Sequence, residues 1–450
     1  MRNRIPLTAA LAAALSAPFA FHAAHAEATE DPASAWSIVA DLTTELGPRP
    51  AGSPREAVAR DWAAARLKAL GFKNVAIEPF TMKAYVRGVD KARLIAPYDL
   101  PLAITALGYS GATPDEGITA DLVYFPSLAA LEAAPEGSLK GKIAFVDHAM
   151  KANQDGSGYG PYGNVRRKGP GIAAAKGAAG IVIRSIGTDG HRNPHTGVIS
   201  WPAGVTPIPA GAVSNPDADL IARVARGGRP MKLALTLTGR TVENMPSGNV
   251  IGEISGRDPK LPPILLGCHL DSWDLGTGAI DNAAGCAIVT AAALQAQKQG
   301  KLLRTVRVLW AGSEEVGGYG GLDYAKRHAA EPIALAMESD FGADRVWNVK
   351  LKLAAANKAL GDAVVAALGP LGIVFDLGKP QGGSDVEPIA AKLNTAVIDL
   401  SQDGTRYFDL HHTPDDTLDK IDPAQLQQNV DAWATVLRVV GNSAEAISGG

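Results

Sequence analysis

The sequence has 450 residues, of which 46% are hydrophobic and 20% are charged, and its formal net charge is −3 at pH 7. This length exceeds one ordinary domain, and the composition is that of a folded protein rather than a disordered one. No run of lysine or arginine indicates binding to nucleic acid or to an anionic membrane surface. We therefore expect two or three globular domains.

The first residues are typical of a cleaved export signal. Arg2 and Arg4 precede an alanine-rich apolar segment, and Ala24-His25-Ala26 fits the small-x-small pattern of a cleavage site. Pro18 and the modest hydrophobicity argue against a membrane anchor. The sequence therefore predicts a signal peptide at residues 1–26 and a protein exported to the periplasm or secreted, with no membrane anchor.

Two amphipathic helices are predicted next, at residues 33–45 and 54–70. Ser53 before Pro54 is a suitable N-cap for the second helix, which has proline in its first turn. A strand is predicted at residues 75–80.

The pattern changes at about Ile118, where short strands and an alanine-rich helix begin. Strands are predicted at residues 120–124, 142–146, 179–183 and 231–237, and a helix at residues 170–178. We interpret residues 118–241 as an inserted domain.

After Asn249 strands and helices alternate regularly. Strands are predicted at residues 263–266, 305–310, 333–337 and 397–400, and helices at residues 283–299, 321–327 and 423–440. Such alternation is typical of an α/β fold with a mostly parallel mixed sheet that is flanked by helices.

His269 and Asp271 follow the first of these apolar strands. Residues two apart on an extended chain point the same way, and the carboxyl ends of strands are where α/β sheets build their sites. His269 is a candidate metal ligand that Asp271 would orient. Taken alone, the pair could also be a surface or capping pair.

Acidic side chains follow at comparable places. Glu314 and Glu315 come directly after the next strand, where adjacent carboxylates are costly unless a cation is near or the loop is solvated. Asp340 follows the third strand. Asp281 precedes a helix, where it could bind metal or act as an ordinary N-cap.

His411 and His412 lie in a turn that contains proline. Imidazoles and several carboxylates, each after an apolar run, are what a two-metal hydrolytic site needs. The pattern therefore predicts a zinc hydrolase.

This set of motifs resembles the M28 family of cocatalytic zinc peptidases, and within it the carboxypeptidase Q branch. The motifs that carry the resemblance are His269-Leu270-Asp271, Asp281, Glu314-Glu315, Met337-Glu338-Ser339-Asp340, Pro194-His195-Thr196-Gly197, Gly47-Pro48-Arg49 and His412-Thr413-Pro414. The resemblance implies a discontinuous zinc peptidase domain at residues 27–117 and 242–450. It implies that the inserted domain, residues 118–241, is a protease-associated domain.

The resemblance also implies the roles of the site residues. Two zinc ions are held by five side chains, with His269 and Asp340 on one ion, Glu315 and His412 on the other, and Asp281 bridging both. Glu314 is then the general base, Asp271 orients His269, and the peptide after Asp281 is cis. A homodimer is implied as well.

The expected function is hydrolysis of dipeptides or short peptides by an exported di-zinc exopeptidase. The alternatives are a broad-specificity aminopeptidase on the same site and a non-catalytic, receptor-like binding module. A single-zinc glutaminyl cyclase would not need the second metal set. The sequence leaves open which peptide terminus is recognised, which group stabilises the oxyanion, and whether Cys268 and Cys286 form a disulfide.

Overall fold

A computed structural model describes residues 31–450, and the predicted signal peptide at residues 1–26 lies outside the described residues. The strands are β1 (Lys73–Val86), β2 (Asp90–Ala96), β3 (Leu100–Leu102), β4 (Ile104–Ala106), β5 (Ile118–Phe125), β6 (Ile143–Val146), β7 (Gly180–Arg184), β8 (Ala210–Val213), β9 (Met231–Leu237), β10 (Arg240–Ile254), β11 (Ile264–His269), β12 (Val306–Ala311), β13 (Leu335–Glu338), β14 (Val346–Lys352), β15 (Val374–Phe375) and β16 (Ala396–Gln402).

The helices complete an α/β fold, as predicted. They are α1 (Ala35–Asp41), α2 (Pro54–Ala69), α3 (Leu128–Glu132), α4 (Tyr159–Ala175), α5 (Asn215–Arg226), α6 (Ala284–Gln297), α7 (Tyr319–Arg327), α8 (Lys358–Leu368), α9 (Glu387–Leu393), α10 (Tyr407–Leu410) and α11 (Pro423–Gly441). Ser53 caps α2, since its hydroxyl accepts a hydrogen bond from the backbone amide of Glu56.

The first sheet is mixed and has the strand order β1-β10-β12-β11-β13-β16-β14-β15. Its centre is parallel, because β11 pairs in parallel with both β12 and β13, and β13 pairs in parallel with β16. Every residue of β11 is buried. This is the behaviour expected of a central parallel strand with both faces covered.

Alternate side chains of these strands enter two different cores. Leu266 on β11 and Val308 on β12 belong to the main core, which also contains residues of α1, α2, α6 and α11. Their neighbours Leu265 and Leu309 lie on the opposite face, with Tyr324 of α7 among others. The two-residue period of each strand thus buries both faces of the sheet.

The second sheet has the order β3-β2-β9-β5-β6-β7-β8-β4, and β5 to β8 are parallel neighbours. It takes its first strand at Asp90, so three of its strands, β2 to β4, precede the predicted boundary at Ile118. These strands are short or half-exposed and give a weak hydrophobic pattern. The identification of residues 118–241 as a protease-associated domain stays a prediction.

Helix α4 begins earlier than predicted, at Tyr159 rather than Pro170. Glycine and proline within the segment disfavour a helix locally, and Pro170 lies inside the helix. Val165 is fully buried in the main core. Tertiary packing therefore outweighs local propensity here.

Helix α6 and strand β11 are joined covalently. Cys268 and Cys286 form a disulfide with a Cα–Cα distance of 5.1 Å, which answers the question that the sequence leaves open. Among the described helices, the stretch Ala279–Gln297 alone is long and apolar enough to cross a membrane, and 89% of its apolar window is buried inside the fold. It is a core helix of this protein.

Candidate metal centre and active site

Three neighbouring parallel strands end at one side of the first sheet. β11 ends at His269, the loop after β12 carries Glu314 and Glu315, and Asp340 follows β13. Because carboxyl ends of adjacent parallel strands meet at the same edge, these side chains converge.

Two further residues reach this edge from special backbone positions. Asp281 lies in the segment Ala279–Ala283 before α6, where its φ of −132° and ψ of 85° are not helical, and its peptide bond to Asn282 is cis, as the resemblance implies. His412 lies in the turn after α10 with φ of 59°, a left-handed conformation that is rare for residues other than glycine. The positions of Asp281 and His412 at this edge therefore could not be predicted from the local sequence pattern alone.

One oxygen of Asp281 faces His269, and the other faces His412 and, at 3.4 Å, also His411. His269 Nε2 lies 3.1 Å from Asp281 Oδ1 and 3.1 Å from Asp340 Oδ1. His412 Nε2 lies 3.2 Å from Asp281 Oδ2 and 2.9 Å from Glu315 Oε2. The donor atoms thus form two adjoining groups that share one carboxylate.

These donors fit zinc. Zinc binds histidine nitrogen and carboxylate oxygen at about 2.0–2.2 Å, so the ligand atoms of one tetrahedral ion lie about 3.3–3.6 Å apart. The distances of 2.9–3.2 Å between the histidine nitrogens and carboxylate oxygens are only slightly shorter. Asp281 Oδ2 and Glu315 Oε1 are buried and accept no hydrogen bond within the described structure. Buried carboxylate oxygens without a donor are groups that a bound cation would satisfy.

The raised pKa values of two site carboxylates also indicate a place for a cation. Burial raises the pKa of Glu315 to about 8, and Asp281 adds to the rise against the lowering effect of His412. Burial also raises the pKa of Asp340, against the lowering effect of His269. Like charges crowded in a buried space are the situation that a bound cation relieves.

Asp271 lies against His269, and the contact to the ring is made by its backbone carbonyl. His269 Nδ1 lies 2.9 Å from the backbone carbonyl of Asp271, whereas the Asp271 carboxylate is 3.6 Å away. Since a carbonyl only accepts, Nδ1 carries the proton and Nε2 is left free for metal. The carboxylate instead accepts hydrogen bonds from two backbone amides, that of Glu314 at 3.0 Å and that of Glu315 at 3.3 Å.

Glu314 lies outside these donor groups. Its Oε1 accepts a hydrogen bond of 2.6 Å from the Ser384 hydroxyl, and its side chain lines the cleft. Burial raises its pKa to about 7, against the lowering effect of His269. Glu338, which the sequence did not single out for a role, accepts the backbone amides of Asp385 and Val386 and so holds the segment that carries Ser384.

Two buried residues brace the loops that carry the ligands. Arg49 is fully buried and donates to the carbonyls of Leu270, Thr277 and Gly278. The Asp416 carboxylate accepts a hydrogen bond of 2.7 Å from the backbone amide of Ile280, the residue directly before Asp281. The motif Gly47-Pro48-Arg49 does not reveal this role of Arg49, because these three partners are more than 200 residues away in the chain.

Two further histidines, His411 and His195, lie beside His412. The rings of His411 and His412 stack with centroids 3.5 Å apart, and His411 Nδ1 lies 3.1 Å from His195 Nε2. His195 follows β7 of the second sheet and is buried. The only signal for it in the sequence is the motif Pro194-His195-Thr196-Gly197.

The donor groups open into a cleft of about 520 Å³. Tyr159, Arg166 and Val198, from the region of the second sheet, line one part of it, and Leu322 and Pro388 are among the residues that line it from the first. The volume suits a short peptide rather than a folded protein.

Comparison with known proteins identifies the family. The model of peptidase family M28 matches residues 249–437. Carboxypeptidase Q from Bos taurus is 31% identical over 417 residues, covering 92% of this chain and 86% of that protein, and the Homo sapiens carboxypeptidase Q gives the same values.

Solved structures agree as well. A peptidase M28 precursor from Shewanella amazonensis SB2B has a TM-score of 0.89 at 45% identity, covering 92% of this chain and 94% of that one. A zinc aminopeptidase from Bacillus subtilis has a TM-score of 0.64 at 20% identity, covering 93% and 98%, and shows the fold alone. With its buried histidine and carboxylate donors at the sheet edge, this chain belongs to peptidase family M28 and is a metallopeptidase.

Proposed function

We propose that this protein is an exported di-zinc exopeptidase that hydrolyses dipeptides or short peptides. The observation that carries the proposal is the pair of Asp281 oxygens, each facing a different histidine at 3.1 and 3.2 Å. His269 and Asp340 would hold one ion, His412 and Glu315 the other, and Asp281 both.

The protein's own groups then have distinct tasks. Zinc bound there would supply Lewis acidity toward water and the scissile carbonyl. Glu314, held by Ser384, takes a proton from the attacking water as the bond from oxygen to the carbonyl carbon forms. When the carbon–nitrogen bond breaks, Glu314 delivers that proton to the leaving amine.

The test joins metal analysis to kinetics. We expect two zinc ions per chain, loss of peptidase activity after chelation, and recovery on adding zinc. The substrate panel consists of a dipeptide, its N-acetyl form, its C-terminal amide and a longer peptide. One ion per chain with full activity would contradict the di-zinc site, and equal turnover of all substrates except the N-acetyl form would favour the broad aminopeptidase.

Export and assembly are part of the proposal. A buried disulfide between Cys268 and Cys286 is typical of an oxidising compartment, which supports export after cleavage at Ala26. N-terminal sequencing of the mature protein tests the cleavage site. The homodimer rests on the resemblance, and a solution mass equal to one chain would remove it.

A further inference from the structure

Arg166 on α4 is a buried arginine at the wall of the cleft. It is 4% exposed, and it forms no ion pair with any residue in 31–450. Nη1 donates to the Thr196 carbonyl at 3.0 Å, while Nε is closed off and has no acceptor. Burying a guanidinium without an anion is costly, so its surroundings indicate a ligand of opposite charge.

The position of Arg166 is fixed beside the metal ligands. The Thr196 carbonyl that accepts from Arg166 also lies 3.3 Å from His412 Nδ1. The guanidinium carbon lies 5.5 Å from the ring centroid of Tyr159, which also lines the cleft. At Gly197 any side chain would overlap the guanidinium, so glycine permits the close approach.

The charge of the cleft leaves Arg166 unbalanced. Among the residues of 31–450 that line the cleft, the acidic ones are Asp281, Glu314, Glu315 and Asp340, and Arg166 is the one arginine or lysine. Two zinc ions would offset the formal charge of four carboxylates. The guanidinium would then be the remaining charge in the loaded cleft and would attract an anion.

We propose that Arg166 is the residue that binds the C-terminal carboxylate of a dipeptide substrate, so that the enzyme distinguishes the free acid from its amide through this side chain. This inference rests on the proposed function. In a dipeptide the carboxylate belongs to the residue directly after the scissile bond, close to the metal ions, whereas a longer peptide has an uncharged amide there. A guanidinium suits a carboxylate because its planar donors match both oxygens.

The competing explanation is that Arg166 only holds the Thr196 carbonyl and thereby positions His412. A positioning role would affect every substrate equally. A carboxylate-binding role affects only substrates that carry the carboxylate.

The experiment compares a dipeptide with its C-terminal amide on zinc-loaded wild type, Arg166→Met, Arg166→Lys and the control Arg167→Met. Arg167 is the adjacent residue, and it donates to the Gly160 carbonyl. Arg166→Met should lower kcat/KM for the acid about 10- to 100-fold, the range of a charge-assisted hydrogen bond, and leave the amide unchanged. Calorimetry with a reduced-bond dipeptide analogue, as acid and as amide, should show the same selective loss.

Equal losses for acid and amide, or a wild type that does not distinguish them, would overturn the assignment. If Arg166→Met loses zinc or does not fold, the acid-to-amide ratio of Arg166→Lys decides, because lysine keeps the charge but not the planar donors. If zinc-loaded wild type hydrolyses neither substrate, the proposed function fails, and analogue binding still tests Arg166 separately.

Discussion

Glu314 and Glu315 are adjacent in sequence but differ in their surroundings. Glu315 contacts His412 at 2.9 Å within the donor groups, whereas Glu314 turns toward Ser384 and the cleft. The Asp271 carboxylate holds both backbone amides. Glu315 is thus placed to bind metal, and Glu314 is placed to accept and donate a proton.

Glu314→Gln should keep both zinc ions and lose most of its kcat. The amide preserves the shape and an acceptor for Ser384, but it cannot take a proton from water, a loss of roughly 10²–10⁴-fold. Elemental analysis and steady-state kinetics measure the two effects. Glu315→Gln is the matched variant and should lose zinc, so the reverse pattern would exchange the two roles.

Asp281→Asn should lower zinc occupancy at both positions. One carboxylate oxygen faces each histidine, and the amide replaces one of these oxygens by a group that donates hydrogen bonds. Zinc titration followed by elemental analysis is the measurement. If one ion were lost while the other kept wild-type affinity, Asp281 would not bridge.

At the scale of elements, the end of β11 is tied to the loop after β12 through a single side chain. The Asp271 carboxylate accepts two backbone amides from that loop, while the backbone carbonyl of Asp271 fixes the His269 ring. The relative position of a histidine ligand and a carboxylate ligand therefore depends on Asp271.

Asp271→Asn should disturb the loop without removing a metal ligand. Asparagine can accept one of the two amides, and its NH₂ group then opposes the other N–H, so one donor is left unpaired. We expect zinc affinity to fall about 10- to 100-fold, the range for residues that orient metal ligands. Competition with a chelator of known affinity measures this, and unchanged affinity would show that the loop holds its position unaided.

The disulfide joins β11 to α6 directly beneath His269. It closes a loop with a sequence separation of 18 residues, for which the chain-entropy model gives about 3 kcal/mol. The double variant Cys268→Ser, Cys286→Ser should therefore have a lower melting temperature than wild type. Wild type under reducing conditions is the control, and equal melting temperatures for all three samples would contradict the prediction.

At the scale of the whole molecule, the predictable part of the site is the part built on strong apolar strands. Such strands end at His269 or are followed by Glu314, Glu315 and Asp340, so the meeting of these residues at one sheet edge could be predicted from period and order. The position of Asp281 before a helix left a metal ligand and an N-cap equally open, and the family resemblance decided between them and favoured His412 over His411.

The remaining features depend on contacts between distant segments. Arg166 lies on α4, a helix that is hard to predict because it contains several glycines and Pro170. Its hydrogen-bond partner Thr196 is 30 residues away in the chain. The short strands β2 to β4 give little periodic signal. Asp271 was correctly placed near His269, but its choice of backbone amides as partners depends on how two loops pack.

The backbone around Thr196 has a consequence for dividing this chain into modules. Thr196 donates its amide to the His412 carbonyl at 3.0 Å, and its own carbonyl lies 3.3 Å from His412 Nδ1. Excising the second sheet would remove the group that sets the tautomer of this histidine. A transplantable catalytic unit therefore has to include the 194–198 loop, and a chimera with a foreign second sheet has to supply the same two backbone groups.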